Sequence, residues 1–468
     1  MTGPHDSSEM VLFRACQAAE ATGGRLLSGD PETPILGFSI DSRTVSAGDC
    51  FVALPGQNVD GHDFVAKAAA RGARSALVTH ALADPPVGLA PILVGDAVKA
   101  LQALASLHRA RFSIPLIAVT GSNGKTSTRA AIAAALGASF PVCATRGNLN
   151  NHIGLPLSLF ALRPSHRAGV FEVGMNHLGE IAELCRILRP GIGVITNVAP
   201  AHLEGVGSLE NVARAKGELM EALPPDGELF VNGDCALSLG IAARFAGATR
   251  LVSLGSSQAF AHAAGVQVEL TRLSGRIAIS GLAEQIPFSA ALSGRHMAYP
   301  LLFAVAVGAR LGLDAASLRR GIESFHPEHG RMEVRDSRGV WIIDDCYNAN
   351  PASMEAALDF LLDLRLSGRR WAVLGDMREL GDRSAEFHRE VLHRCRIAAA
   401  LEGAHFYGNE FLAAAGGAGR DGKISIHSAK DPIVRELRER LEPGDVVLFK
   451  GSRGVALETM LEGLFPAE

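Results

Sequence analysis

The sequence predicts an α/β protein of three domains, the central and C-terminal ones built on mainly parallel sheets. Three observations predict it. The chain has 468 residues, roughly three ordinary domains. From Leu116 onward, apolar strand-like runs alternate with helical patterns: LIAVT, GVFEVG from Gly169 and IGVITNV from Ile192. Continuous apolar strands separated by helices indicate a parallel sheet covered on both faces. Two short segments, FSIP at Phe112–Pro115 and FHPEHGRM at Phe325–Met332, read as linkers, since the residue before proline resists helix. The expected domains are therefore 1–112, 113–325 and 326–468.

In chain order, the first domain carries strand-like runs at Ile35–Ile40, Cys50–Leu54 and Ser75–Val78 and closes with a helical pattern from Ala97 to Arg111. The second opens at LIAVT and ends in a long helical pattern from about His296 to Leu311. The third carries VWIID, RWAVLGD and VVLFKG, each ending in a turn that bears Gly or Asp. Open α/β sheets put their ligands at such turns.

The bulk numbers exclude several classes. A net charge of −4 leaves no basic footprint for nucleic acid. Seven scattered cysteines form no C-x-x-C pair, so neither a zinc cluster nor a disulfide framework is expected, and a reducing cytoplasm fits. The N-terminal MTGPHDSSEM lacks a charged-then-apolar leader pattern. No apolar run reaches the ~18 residues of a spanning helix, so no membrane association is expected. The 47% apolar content supports large cores.

The strongest motif is TGSNGKTS, Thr120–Ser127. The usual phosphate loop, G-x-x-x-x-G-K-[ST], wants a glycine where Val119 stands; Gly121 instead shortens it to G-x-x-G-K-T. Leu116–Thr120 reads as a buried strand, GSNG as a tight turn, and KTSTRAAIAAAL as a helix with Gly137 just past its end. A helix N-terminus after a glycine turn is a ready phosphate cradle. Lys125 would reach the terminal phosphates and the Thr126 hydroxyl would bind Mg²⁺. The competing reading is a plain strand–helix turn with an incidental Gly-Lys-Thr.

Glu172 lies inside an apolar strand, where an acid is costly unless it is paired or metal-bound. Either it completes Mg²⁺ coordination or it pairs with a structural base. His202 follows another strand, at the same sheet edge; a lone histidine is more often structural. Lys216 falls on the apolar stripe of a helix capped by Ser208, among Leu209, Val212, Leu219 and Leu223. A buried lysine has a depressed pKa. Its neutral amine can take up CO₂ as a carbamate, an anion suited to a place beside Mg²⁺. From pattern alone, a lysine that buries its stem and lifts its head to water is the commoner case.

Together these residues resemble the Mur ligase family, the ATP-dependent amide-forming enzymes of peptidoglycan precursor synthesis. That family's loop reads T-G-[ST]-x-G-K-[TS], so the short spacing is a family trait. Further segments, spread over nearly the whole chain in the expected order, are similar to the member that attaches D-alanyl-D-alanine to UDP-N-acetylmuramoyl-tripeptide. They include DSRTVSAGDCFVALPGQNVDGHDF, TRGNLNNHIGLPLSL, FEVGMNHLGEI, ITNVAPAHLEGVGSLENVARAKGEL, IIDDCYNANPASMEAAL, LGDMRELGDRS and FKGSRG.

The resemblance implies an N-terminal uridine-nucleotide-binding α/β domain, a central P-loop ATPase domain and a C-terminal Rossmann-like domain. It implies ATP held by Gly121, Ser122, Asn123, Gly124, Lys125, Thr126 and Ser127, with Arg331, Asp345 and Tyr347 on the nucleotide from the third domain. Mg²⁺ would engage Thr126, Glu172, His202 and an N6-carbamoylated Lys216, which reverses the reading of Lys216 from pattern alone. Lys125, Lys216, His202 and Asn348 would serve catalysis. Ser42 and Arg43 match the uridine-nucleotide motif, and Asn150 and Asn151 the central substrate loop. Asn350, in the same YNANP loop as Asn348, would bind substrate; Lys450, Ser452 and Arg453 close the third domain's cleft, where the dipeptide carboxylate is expected. Asn350 also reads as a helix cap before Pro351. The resemblance implies a monomer. Two departures stand out: Met297 and Pro300 replace the asparagines of an H-N-x-x-N pattern near the adenine, and His152 stands where an acid is common. The alternatives are the preceding ligase, which adds the third peptide residue, and a non-catalytic nucleotide-binding relative.

Overall fold

The computed structural model describes residues 10–56, 59–417 and 419–465. The leader-free reading of the N-terminus rests largely on residues 1–9, outside that range, as do two residues of the quoted Asp41–Phe64 segment. The described chain forms two compact units: 1–118 with 141–174 and 180–191, and 119–140 with 175–179 and 192–468.

Three sheets carry the fold. The N-terminal sheet has five strands in the order Arg25–Leu26, Ala90–Leu93, Ser75–Val78, Asp49–Val52 and Gly37–Ser39, parallel except where Arg25–Leu26 joins. Ser75–Val78 is the strand the sequence predicts. The run predicted at Ile35–Ile40 is instead two strands. Pro34–Ile35 pairs with Phe13–Arg14 in a separate ribbon, and Gly37–Ser39 joins the five-stranded sheet, so the chain changes partners at Leu36.

A nine-stranded sheet follows, in the order Ile286–Ala290, Leu273–Ile279, Ala261–Val268, Ala248–Ser253, Glu228–Asn232, Ile192–Ile195, Leu116–Thr120, Ala168–Glu172 and Val142–Ala144. Its strands Ile192–Ile195 to Ala261–Val268 are parallel neighbours, and an antiparallel hairpin extends that edge. The strands Leu116–Thr120, Ala168–Glu172 and Ile192–Ile195 are buried at every residue, as continuous apolar runs require.

The C-terminal sheet orders Glu333–Ser337, Val340–Asp345, Val446–Lys450, Arg370–Gly375, Leu401–Tyr407, Ile424–His427 and Gly419–Asp421. Its five inner strands run parallel and both edges are antiparallel. Parallel register sets Asp345 opposite Lys450 at the carboxyl ends of their strands.

Helix ends show where local chemistry decided. Gly137 is the last residue of the helix Lys125–Gly137, not the residue past it. Its φ is not positive, and Ala138 remains right-handed with its N–H bonded to Ala134 O, so no left-handed cap forms there. The helix expected from His296 starts at Ala298, after a short 3₁₀ turn at Arg295–Met297. Pro300 then falls in the first turn, where a missing N–H removes no helical bond. Among the described residues, all seven cysteines are unpaired and no helix is long and apolar enough to cross a membrane.

Candidate active site

The phosphate-loop turn is built on two glycines in conformations that side chains avoid. Gly121 has φ 147°, and a Cβ there would lie 1.8 Å from Thr196 Oγ1; Gly124, with φ 77°, caps the following helix. The turn is anchored on residues 196–199. Ser122 N–H donates to Asn197 O at 3.0 Å, and Ser122 Oγ both donates to Ala199 O and accepts from Ala199 N–H. Asn123 N–H donates to Asn197 Oδ1 at 2.9 Å, while Asn123 O accepts from Thr196 Oγ1 at 2.6 Å and from Asn197 Nδ2. Lys125 Nζ donates to Gly121 O at 2.8 Å, which holds the ammonium over the turn. Thr126 and Ser127 are buried in the first helical turn, where the dipole favours an anion.

Lys216 lies on the helix Leu209–Glu221, capped as expected by Ser208, whose side chain accepts from Asn211 N–H. It is 1% exposed. Burial pushes its amine well below the ordinary lysine value, and the charge of Lys125 adds to that. The stripe pattern alone favoured a lysine with its head in water; the structure buries the head.

His202 and Glu379 meet. His202 adopts a left-handed backbone (φ 55°) ahead of the short helix Leu203–Val206, and its Nδ1 lies 2.6 Å from Glu379 Oε2. The two atoms are close, with the carboxylate oblique to the ring N–H direction. Contact with the His202 ring holds the Glu379 carboxyl below the usual carboxylate range; partial burial opposes this, and the charge of Lys125 reinforces it. Glu379 lies in LGDMRELGDRS, but nothing local in that segment announces a partner so distant in sequence.

Glu172, 2% exposed, belongs to the other compact unit. Its Oε1 accepts from Asn150 Nδ2 at 2.7 Å and its N–H donates to Thr145 Oγ1. The fold thus joins the expected metal-side acid to one expected substrate-side asparagine. Asn151 instead accepts the N–H groups of Ile153 and Gly154 and shapes the start of the next helix. In the same unit Ser42 is buried, and Arg43, largely exposed, forks the Asp41 carboxylate, holding it down at about 2.

The third-domain residues converge at the carboxyl ends of the C-terminal sheet. The Arg331 guanidinium sits 3.9 Å over the Tyr347 ring, and Tyr347 N–H donates to Gly330 O. Asp345 Oδ1 accepts from Met332 N–H and its Oδ2 lies 2.6 Å from Lys450 Nζ, which also donates to Asn348 O. Lys450 is 1% exposed, so its charge is committed to Asp345; Asn348 Oδ1 accepts from Ala349 N–H. Ser452 Oγ bonds Ala349 O and accepts Arg378 N–H, while exposed Arg453 pairs with Glu458. His296 lies within reach of the Asp345 and Lys450 charges; burial lowers its pKa first, Asp345 raises it and Lys450 lowers it. The sequence signal for His296 is the leading histidine of the altered H-N-x-x-N pattern. Met297 beside it is buried core.

Asn350 performs two tasks. It caps the helix Pro351–Asp363 in a box with Ser353, as the sequence predicts, and its Nδ2 donates to Asn123 Oδ1 of the phosphate loop at 2.7 Å. Arg129, on the helix after that loop, pairs with Glu328. Among the described residues, the groupings of histidine, cysteine and carboxylate able to hold a metal include neither Glu172 nor His202.

Three family models cover the chain: Mur ligase family, catalytic domain, over residues 34–110; Mur ligase middle domain over 119–308; and Mur ligase, glutamate ligase domain, over 330–453. The chain belongs to the Mur ligase family. It is 33% identical to the UDP-N-acetylmuramoyl-tripeptide–D-alanyl-D-alanine ligase of Bacillus subtilis over 97% of this chain and 99% of that protein. Its fold superposes on MurF from Acinetobacter baumannii with a TM-score of 0.86 at 29% identity, covering 97% of this chain and 98% of that one. MurF ligase from Thermotoga maritima in complex with ADP gives a TM-score of 0.79 at 28% identity, covering 92% and 96%. The Mur ligase loop, its anchoring turn at 196–199 and the buried Lys216 are thus features of a chain that matches the family in all three parts.

Proposed function

We propose that the chain joins D-alanyl-D-alanine to UDP-N-acetylmuramoyl-tripeptide through an ATP-derived acyl phosphate, giving the UDP-N-acetylmuramoyl-pentapeptide, ADP and phosphate. The observation that carries this reading is the likeness, along 97% of the chain, to a ligase of that name. The preceding ligase and a non-catalytic relative are not favoured by such a match.

A carboxylate is a poor electrophile. Its oxygen attacks the γ-phosphorus, the bond from that phosphorus to the ADP oxygen breaks, and the acyl carbon gains phosphate as its leaving group. The amine of D-alanyl-D-alanine then attacks the acyl carbon, phosphate departs with the bonding pair, and the amine loses a proton. Such transfers depend on positioning and charge neutralisation. Lys125, held over the loop, offsets phosphate charge; Arg331, stacked on Tyr347, adds a second cation.

Family membership implies magnesium. The test falls on Lys216: a buried amine with a strongly depressed pKa does not suit an ammonium, but it suits a carbamate formed from CO₂ with release of a proton. That carbamate and the Thr126 hydroxyl offer hard oxygens of the kind Mg²⁺ prefers; family membership assigns Glu172 and His202 to magnesium as well. Mg²⁺ bound there would supply charge to the transferring phosphoryl group. Action in the cytoplasm as a monomer goes with this reading. The test is phosphate release that depends on D-alanyl-D-alanine.

A further inference from the structure

We propose that Glu379 is a positioning residue for His202, fixing its ring with the proton on Nδ1 and the lone pair on Nε2. For its catalytic consequence the inference rests on the function proposed above.

The side chains approach to 2.6 Å, yet Glu379 is 51% exposed and His202 20%. An ion pair that open contributes little by itself. The backbone makes this contact different. Both residues are non-glycine at positive φ, 55° at His202 and 64° at Glu379. Such conformations persist where the surroundings over-determine them, and they gather at functional sites. Here the surroundings are each other. Glu379 O accepts Glu204 N–H at 3.1 Å, two residues beyond His202. Gly381 lies against Glu204, where a Cβ on it would be in ordinary van der Waals contact, 3.5 Å from Glu204 Cα. The turn at 379–381 therefore grips the turn at 202–204 through backbone and side chain at once. A carboxylate facing one imidazole nitrogen keeps the proton there and leaves the other nitrogen as acceptor or ligand.

The experiment uses full-length protein with ¹⁵N-labelled histidine and no nucleotide; His202→Gln identifies the His202 signals. The wild type is expected to carry the Nδ1–H tautomer. Glu379→Ala should move His202 toward the Nε2–H form and lower kcat by about ten- to a hundredfold, with KM for D-alanyl-D-alanine within about twofold. Glu379→Asn, which tolerates positive φ but is too short to reach, should behave like Ala and guards against a folding defect. Glu379→Gln, which keeps an oxygen facing Nδ1, should keep tautomer and rate near wild type. An unchanged tautomer in Glu379→Ala and Glu379→Asn, an unchanged kcat, or a Gln variant as impaired as Ala would overturn the proposal. If the wild type releases no dipeptide-dependent phosphate, the ligase reading fails, while the tautomer spectra still decide the role of Glu379.

Discussion

Lys216 sits on the apolar stripe of its helix with 1% of its surface exposed and the charge of Lys125 working against its protonation. Lys216→Ala is expected to abolish turnover, and small carboxylates added to that variant should restore part of it; full activity in the Ala variant would remove the carbamate from the mechanism. Individual residues were unevenly legible. The form of the Thr120–Ser127 loop was readable because it is local: strand, glycine turn and helix lie in one short segment. Lys216 was visible as a misplaced charge, but whether its head reached water depended on packing that periodicity does not carry. Lys450 shows the same limit. Its position at a strand end was legible, while its commitment to Asp345 follows from parallel register between strands far apart in sequence.

At the scale of elements, the strands and helices of the central and C-terminal parts follow the sequence closely, since continuous apolar runs and caps such as Ser208 and Asn350 act locally. The run at Ile35–Ile40 was misread as one strand because a change of pairing partner leaves no mark on hydrophobicity. The helix Pro351–Asp363 begins with a cap that also touches the phosphate loop through Asn350 Nδ2 and Asn123. Two substitutions separate these tasks. Asn350→Asp keeps an oxygen for Ser353 N–H but loses the donor; it is expected to unfold near the wild-type temperature while raising the KM for ATP about tenfold, the scale of one lost hydrogen bond with a misplaced acceptor. Asn350→Ala should lose the cap as well, roughly 1 kcal/mol of stability. Equal ATP kinetics in wild type and Asn350→Asp would show that the contact is structural only.

For the whole molecule, pH dependence follows from buried histidines. His108, fully buried between Phe112 and Phe160, donates Nε2–H to Leu162 O, and burial pulls its pKa down to about 4. Its folded pKa lies below the unfolded value near 6.5, so between pH 6.5 and 4 the unfolded chain binds the extra proton. Stability is therefore lost as pH falls through that window, on the order of 3 kcal/mol from this group by pH 4. His296, His388 and His427 shift in the same direction, so the contribution of His108 is read as a difference. Thermal unfolding of wild type and His108→Leu should diverge in slope across pH 6.5 to 4, with the variant less acid-sensitive; parallel curves would count against it. The most direct measurement at this scale is amine dependence. Purified protein with UDP-N-acetylmuramoyl-tripeptide, ATP and Mg²⁺ is assayed for phosphate with and without D-alanyl-D-alanine. Phosphate should appear with the dipeptide and stay at background without it, with the pentapeptide formed in equal amount. Phosphate release indifferent to the dipeptide, or no pentapeptide, would contradict the ligase assignment.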